Sequence, residues 1–190
     1  MGKNYYWDAI SQIIGNILKS NISRDRSILE IGFSSGHFLE WLSENGYQNL
    51  HGIEIRKSQY IDTVTCFKNK GLDRIDLILG DILQHNHQYD AIFSTGLIQC
   101  LDEKERKLFF RHVSKLANTA VFTIPVIEED RNIDSKIEVA VAGCTEYITS
   151  NIPYELSLYY DIVRTGIINK KKTHIEDTFQ YFICNNKMDL

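Results

Sequence analysis

Hydrophobic and polar positions alternate in blocks along this chain, and the block lengths predict its elements. From Tyr5 to Lys19 the apolar residues Tyr6, Ile10, Ile13, Ile14 and Ile17 recur at helical spacing. Short apolar runs follow, each too short for a helix and bounded by glycine, asparagine or aspartate: Ser27–Ile31, Asn49–Ile55, Ile75–Leu79, Ala91–Thr95 and Thr119–Ile124. Helical segments lie between them. One opens after Gly36 and runs from His37 to Asn45. A second starts at Ser58, with Ile61, Val64 and Phe67 on one face and Gly71 as C-cap. A third is announced by Asp102 and Glu105, spaced as a capping box, and reaches about Leu116. Strands alternating with helices predict an α/β fold with a mostly parallel sheet.

Beyond Pro125 the rhythm changes. The spacing of Ile137, Val141, Cys144 and Ile148 predicts one helix between Val126 and Pro153, and Glu155–Arg164 reads as another, ended by Gly166. Two final β-like runs, Ile167–Asn169 and Phe179–Cys184, predict an antiparallel hairpin. Lys170-Lys171-Lys172 reads as part of its solvated turn. The segment 126–155 is long for a compact domain, as functional lids and substrate walls are. It carries Glu128, Glu129, Asp130, Asp134, Glu138, Glu146 and Glu155 against Arg131 and Lys136. As a pocket wall it disfavours anions and suits a neutral or cationic partner; as a charge run it is simply a solvated face.

The carboxylates give the pattern its chemistry. Glu30, Glu54 and Asp81 stand at or just past the ends of successive apolar strands, where an open parallel sheet forms its ligand crevice. After Glu30 comes Gly32-Phe33-Ser34-Ser35-Gly36, a turn that opens directly into a helix. Such a turn brings backbone and free helix N–H groups up to the polar end of a nucleotide-like ligand. Glu54 suits the vicinal hydroxyls of a ribose. Asp81 suits an exocyclic amine, with the Ile82 N–H for a ring nitrogen, and Ile55 and Ile82 suit the faces of an adenine.

These motifs, in this order, resemble the class I S-adenosylmethionine-dependent methyltransferases. Glu30 and the Gly32–Gly36 turn match that family's first motif, with Ser34 at the middle small position. Glu54 matches its ribose acid, and Gly80-Asp81-Ile82 its adenine step. Asp90-Ala91-Ile92-Phe93-Ser94-Thr95-Gly96-Leu97-Ile98-Gln99-Cys100-Leu101 looks like its strand-four motif, with Gln99 where histidine is commonest. The resemblance implies a Rossmann-like, seven-stranded, mostly parallel sheet with helices on both faces and an antiparallel C-terminal hairpin. It implies S-adenosylmethionine as cofactor, S-adenosylhomocysteine as product, and a binding set of Glu30, Gly32, Ser34, Gly36, Glu54, Ile55, Asp81, Ile82 and Ser94. The reaction implied is in-line methyl transfer to oxygen or nitrogen of a small acceptor; no residue is singled out as its base. A peptide or protein acceptor and a non-catalytic binding or scaffold protein are the alternatives. A nicotinamide-binding domain fits less well, because positions 32, 34 and 37 read Gly, Ser and His where its fingerprint has three glycines.

Composition narrows this further. The 190 residues read as one domain, with 1–26 as an N-terminal helix or lid and 126–155 as a substrate-side insertion. A formal charge of -4 disfavours a nucleic-acid partner. No stretch reaches the ~18 apolar residues of a membrane span. Cys66, Cys100, Cys144 and Cys184 form no Cys-x-x-Cys pair and read as reduced thiols of a cytoplasmic protein. His85-Asn86-His87 carries a nuclease-like spelling without the context for a metal; His37, after the glycine loop, reads either as a contact to cofactor or substrate or as a solvent-facing first residue of its helix, and His174 reads as a surface residue of the terminal hairpin turn. No metal site is expected.

Overall fold

The computed structural model describes residues 14–126, 152–171 and 176–187. Among the described residues there are seven strands: β1 (Ile28–Ile31), β2 (Leu50–Glu54), β3 (Asp76–Leu79), β4 (Tyr89–Thr95), β5 (Ala117–Val126), β6 (Tyr160–Lys171) and β7 (Glu176–Asn186). The helices are α1 (described over residues 14–21), α2 (His37–Glu44), α3 (Lys57–Lys70), α4 (Glu103–Val113) and α5 (Ile152–Ser157). The strands form one sheet in the order β3-β2-β1-β4-β5-β7-β6. Compact packing divides the chain into two units, Met1–Phe93 and Ser94–Leu190.

In the first unit the pairs β1–β2, β2–β3 and β1–β4 are parallel. All four residues of β1 are buried, as expected of a strand covered on both faces. At the strand beginnings Asp90 accepts hydrogen bonds from the Ser27 N–H (2.8 Å), the Ser27 hydroxyl (2.9 Å) and Arg26 (2.9 Å). These donors hold its carboxyl below the ordinary carboxylate value. Helix α3 ends on Gly71 as the spacing predicts, but its buried residues are Thr63 and Phe67. Ile61 and Val64 are exposed, so that apolar face is narrower than its sequence spelling.

In the second unit β5–β7 and β6–β7 are antiparallel, which gives the C-terminal hairpin. The Asp102–Glu105 capping box is present with both of its hydrogen bonds, at 2.8 and 2.9 Å. Its helix stops at Val113, and Ser114–Leu116 form a turn.

The expected helix Glu155–Arg164 is corrected. Helix α5 ends at Ser157, and Tyr160 begins a strand that runs to Lys171. Tyr160, Ile162, Val163, Thr165, Ile167 and Ile168 are aromatic or β-branched, and pairing to β7 outweighs their helical spacing. Gly166 therefore ends no helix. It lies mid-strand opposite Tyr181, and a Cβ there would stand 2.6–2.7 Å from the Tyr181 ring and hydroxyl. Lys170 and Lys171 belong to the strand as well. The expected helix between Val126 and Pro153, with Ile137, Val141, Cys144 and Ile148, lies outside the described residues, as do Tyr5, Tyr6 and His174.

Candidate cofactor site

The first unit brings the expected binding residues of β1 and β2 together around the turn that follows β1. Gly32, Ser34 and Gly36 all take left-handed backbone conformations, with φ of 75°, 47° and 72°. Gly36 admits no side chain, since a Cβ there would lie 2.5 Å from Phe67 and 2.8 Å from Thr63. The turn is tied down from three sides. The Gly32 N–H donates to the Ile53 carbonyl (2.8 Å), the Thr63 hydroxyl donates to the Ser34 carbonyl (2.6 Å), and the Gly36 N–H closes onto Phe33 (2.7 Å).

Glu54 ends β2 and is 2% exposed. Its Oε2 accepts from the Ser34 N–H at 3.0 Å, while Oε1 accepts from the Arg56 N–H at 2.9 Å and Arg56 Nε at 3.2 Å. A carboxylate offers about four lone-pair positions, so a bond to each oxygen still leaves acceptor capacity for a diol. Glu54 stands at the end of its strand, where sequence reading put it, and it also shapes the turn, which that reading missed. Arg56, Gln59 and Thr63 around it were missed too. Only Arg56, two residues beyond a strand-end acid, gave a local hint.

Glu30, on β1, is also 2% exposed. The N-cap of α2 is Gly36, which has no side chain to offer the helix. Glu30 fills that role from β1, accepting a hydrogen bond from the Leu39 N–H in the first turn. Its Oε2 has no partner among the described residues. Burial pushes its carboxyl well above the ordinary range, the Leu39 N–H opposes this, and Glu54 adds to it.

The remaining residues of the set divide. Asp81 caps a single 3-10 turn, Ile82–Gln84, with Oδ1 accepting from the Leu83 N–H at 2.9 Å. Ile55 lies just beyond β2 and is 66% exposed; Ile82 is half-buried. Ser94, fully buried in β4, belongs to the second unit. His37 opens α2 and is half-buried.

Elsewhere, His85 Nε2 shares a 2.9 Å hydrogen bond with the Tyr89 hydroxyl, and the rings of His51 and His87 lie 5.0 Å from that of Tyr89. Burial and nearby Asp76 push Tyr89 up to about 12. Among the described residues no group of three His, Cys, Asp or Glu is arranged to hold a metal ion. In the second unit Arg106 and Glu155, both 2% exposed, form a two-point ion pair at 2.8 and 2.9 Å. Glu155 thus leaves the acidic run expected to face solvent or a pocket.

Residues 28–119 match the family model for a methyltransferase domain. A zebrafish (Danio rerio) protein named EEF1A lysine methyltransferase 2 is 32% identical over 96 residues, which make up 50% of this chain and 39% of that protein. The chain thus spans well under half the length of this curated relative. Among solved structures, magnesium protoporphyrin IX methyltransferase from Synechocystis PCC 6803 with bound SAH superposes with a TM-score of 0.72 at 11% identity, covering 94% of this chain and 83% of that one. The [4+2]-cyclase SpnF superposes with a TM-score of 0.77 at 11% identity, covering 100% of this chain and 86% of the other. At such identities these two likenesses speak for the fold alone.

Proposed function

From a segment, residues 28–119, that belongs to the methyltransferase-domain family, we propose that the protein binds S-adenosylmethionine and transfers its methyl group to oxygen or nitrogen of a small, neutral or cationic acceptor. The observation that carries this reading is the joining of Glu54 to the Gly32–Gly36 turn, a buried acid bonded to a left-handed turn at adjacent strand ends. The residues fit the cofactor: Glu54 retains acceptor capacity for the ribose, Ile55 is open beside it, and Glu30 has an oxygen still to be satisfied. Asp81 and Ile82 take the adenine edge, and Gly32, Ser34 and Gly36 complete the set within the first unit. When bound, the sulfonium supplies an activated methyl carbon for in-line displacement. The chain's part is to orient the ligand and hold an acceptor in line, where positioning contributes most of the acceleration.

A lysine side chain of a protein is the second reading for the acceptor, favoured by the zebrafish relative's name. The cyclase among the fold neighbours is a reminder that one fold hosts more than one reaction.

Calorimetric titration with S-adenosylmethionine and S-adenosylhomocysteine tests the cofactor assignment. Charge-assisted hydrogen bonds contribute about 1.5–3 kcal/mol each, so Glu54→Ala should weaken both ligands roughly ten- to a hundred-fold. No binding to a folded wild-type chain would overturn the reading. Transfer of labelled methyl to small amines and alcohols, set against lysine-containing peptides, then separates the two acceptors.

A further inference from the structure

Glu54 has one acceptor position too few for a ribose. A carboxylate accepts about four hydrogen bonds, two on each oxygen. Here Oε2 accepts one, from the Ser34 N–H at 3.0 Å. Oε1 accepts two, from the Arg56 N–H at 2.9 Å and from Arg56 Nε at 3.2 Å. That leaves one position, on Oε2, whereas hydroxyls on adjacent carbons call for one on each oxygen. The three donors are unequal. Two are backbone N–H groups, held by the turn after β1 and by the start of α3. The third bond is the longest, and it comes from a side chain 59% exposed against 2% for its partner. We propose that Arg56 is a displaceable stand-in for a ribose hydroxyl, whose Nε bond to Glu54 gives way when a ligand with both hydroxyls binds. The inference rests on the cofactor reading above.

The position of Arg56 in the chain supports this. It is the N-cap of α3, where serine, threonine, asparagine or aspartate would bond the helix N–H groups, and its side chain makes no such bond. The guanidinium is turned onto Glu54 instead, giving a buried carboxylate a charged donor. An ion pair with one partner this exposed adds little net stability, so the side chain can yield at small cost. In the exchange the guanidinium passes into water and a hydroxyl takes its place on Oε1. Only hydrogen bonds change, and no proton is transferred. Each oxygen of Glu54 then holds one backbone donor and one hydroxyl. A ligand without the hydroxyls has no claim on that position and leaves Arg56 where it is. Arg56 therefore sets how strongly the site prefers a ribose.

The test sets S-adenosylhomocysteine against an analogue lacking both ribose hydroxyls, by calorimetric titration of the full chain and of Arg56→Met. Methionine keeps an unbranched stem and the backbone N–H of the residue but removes the competing donor. S-adenosylhomocysteine should bind Arg56→Met about two- to five-fold more tightly than wild type, as loss of so exposed a pair implies. The analogue should bind the two chains alike. In the wild type, NMR of the Arg56 guanidinium should show its Nε–H losing protection from solvent exchange with S-adenosylhomocysteine and keeping it with the analogue. Unchanged or weaker binding of S-adenosylhomocysteine by a folded Arg56→Met would overturn the proposal and leave the cofactor reading intact. Equal tightening of the analogue would overturn it too, making Arg56 a general obstacle in place of a competitor for Glu54. An Nε–H that stays protected in the complex would do the same. No binding by a folded wild-type chain would remove both. If Arg56→Met does not fold, the wild-type guanidinium signal decides alone.

Discussion

Ser34 holds a left-handed backbone, φ 47°, between two glycines that do the same. An L-residue gives up about 1–2 kcal/mol there. Ser34→Gly should therefore raise stability by roughly 0.5–1 kcal/mol, the glycine's greater freedom in the unfolded chain taking back the rest. The urea midpoint measures it. The hydroxyl forfeits only a 3.4 Å contact with Gln59, and the Ser34 N–H keeps its bond to Glu54. A lower midpoint would mean that the hydroxyl contributes more than this long contact suggests. The serine thus holds, at some cost, a turn shape that glycine adopts freely.

Helices α4 and α5 meet through the Arg106–Glu155 pair, which also donates from Arg106 to the Leu101 carbonyl at 2.7 Å. Removing one partner of such a pair leaves a buried charge and costs about 3–5 kcal/mol. Glu155→Ala should lose that much in a denaturant titration, whereas Arg106→Met with Glu155→Leu together should recover most of it. Equal losses in both would put the stability in packing instead of charge. This pair shows where legibility in sequence ended. The Asp102–Glu105 box could be read because its partners are three residues apart and one turn's geometry dictates the bond. Arg106 and Glu155 are 49 residues apart, and nothing local links them. The cofactor side follows the same rule. Glu54 and the turn could be read because a strand end and its neighbouring turn are local facts, while the capping of α2 by Glu30 arises only once β1 and α2 pack. Strand β6 was misread because residues such as Tyr160, Ile162 and Val163 also fit a helical spacing, and only β7 decides between the two.

Across the whole molecule, two buried or bonded acids pull the pH dependence of stability in opposite directions. Asp90 is lowered from its ordinary 3.8, so its contribution is full above that value and is lost as pH falls through the lowered one. Glu30 is raised above 4.5: in the folded chain it keeps a proton that the unfolded chain gives up. Its effect is a loss of stability as pH climbs from 4.5 toward the raised value. The unliganded protein should therefore be most stable on the acidic side of neutrality, and Glu30→Gln should move that optimum upward, as thermal unfolding across pH would show. An unmoved optimum would place the dependence on other groups. No helix among the described residues is long and apolar enough to cross a membrane. The strand order bears on how the sheet is completed. Along the chain the last three strands run β5, β6, β7, but in the sheet β7 lies between the other two. Thr119–Val126 of β5 pair with Thr178–Asn185 of β7. On a ribosome, β5 emerges some fifty residues before its partner, with its edge bare and ready to pair wrongly. Correct assembly waits for the β6–β7 hairpin to form and slot β7 against β5, so interrupted synthesis leaves an adhesive fragment in place of a smaller protein.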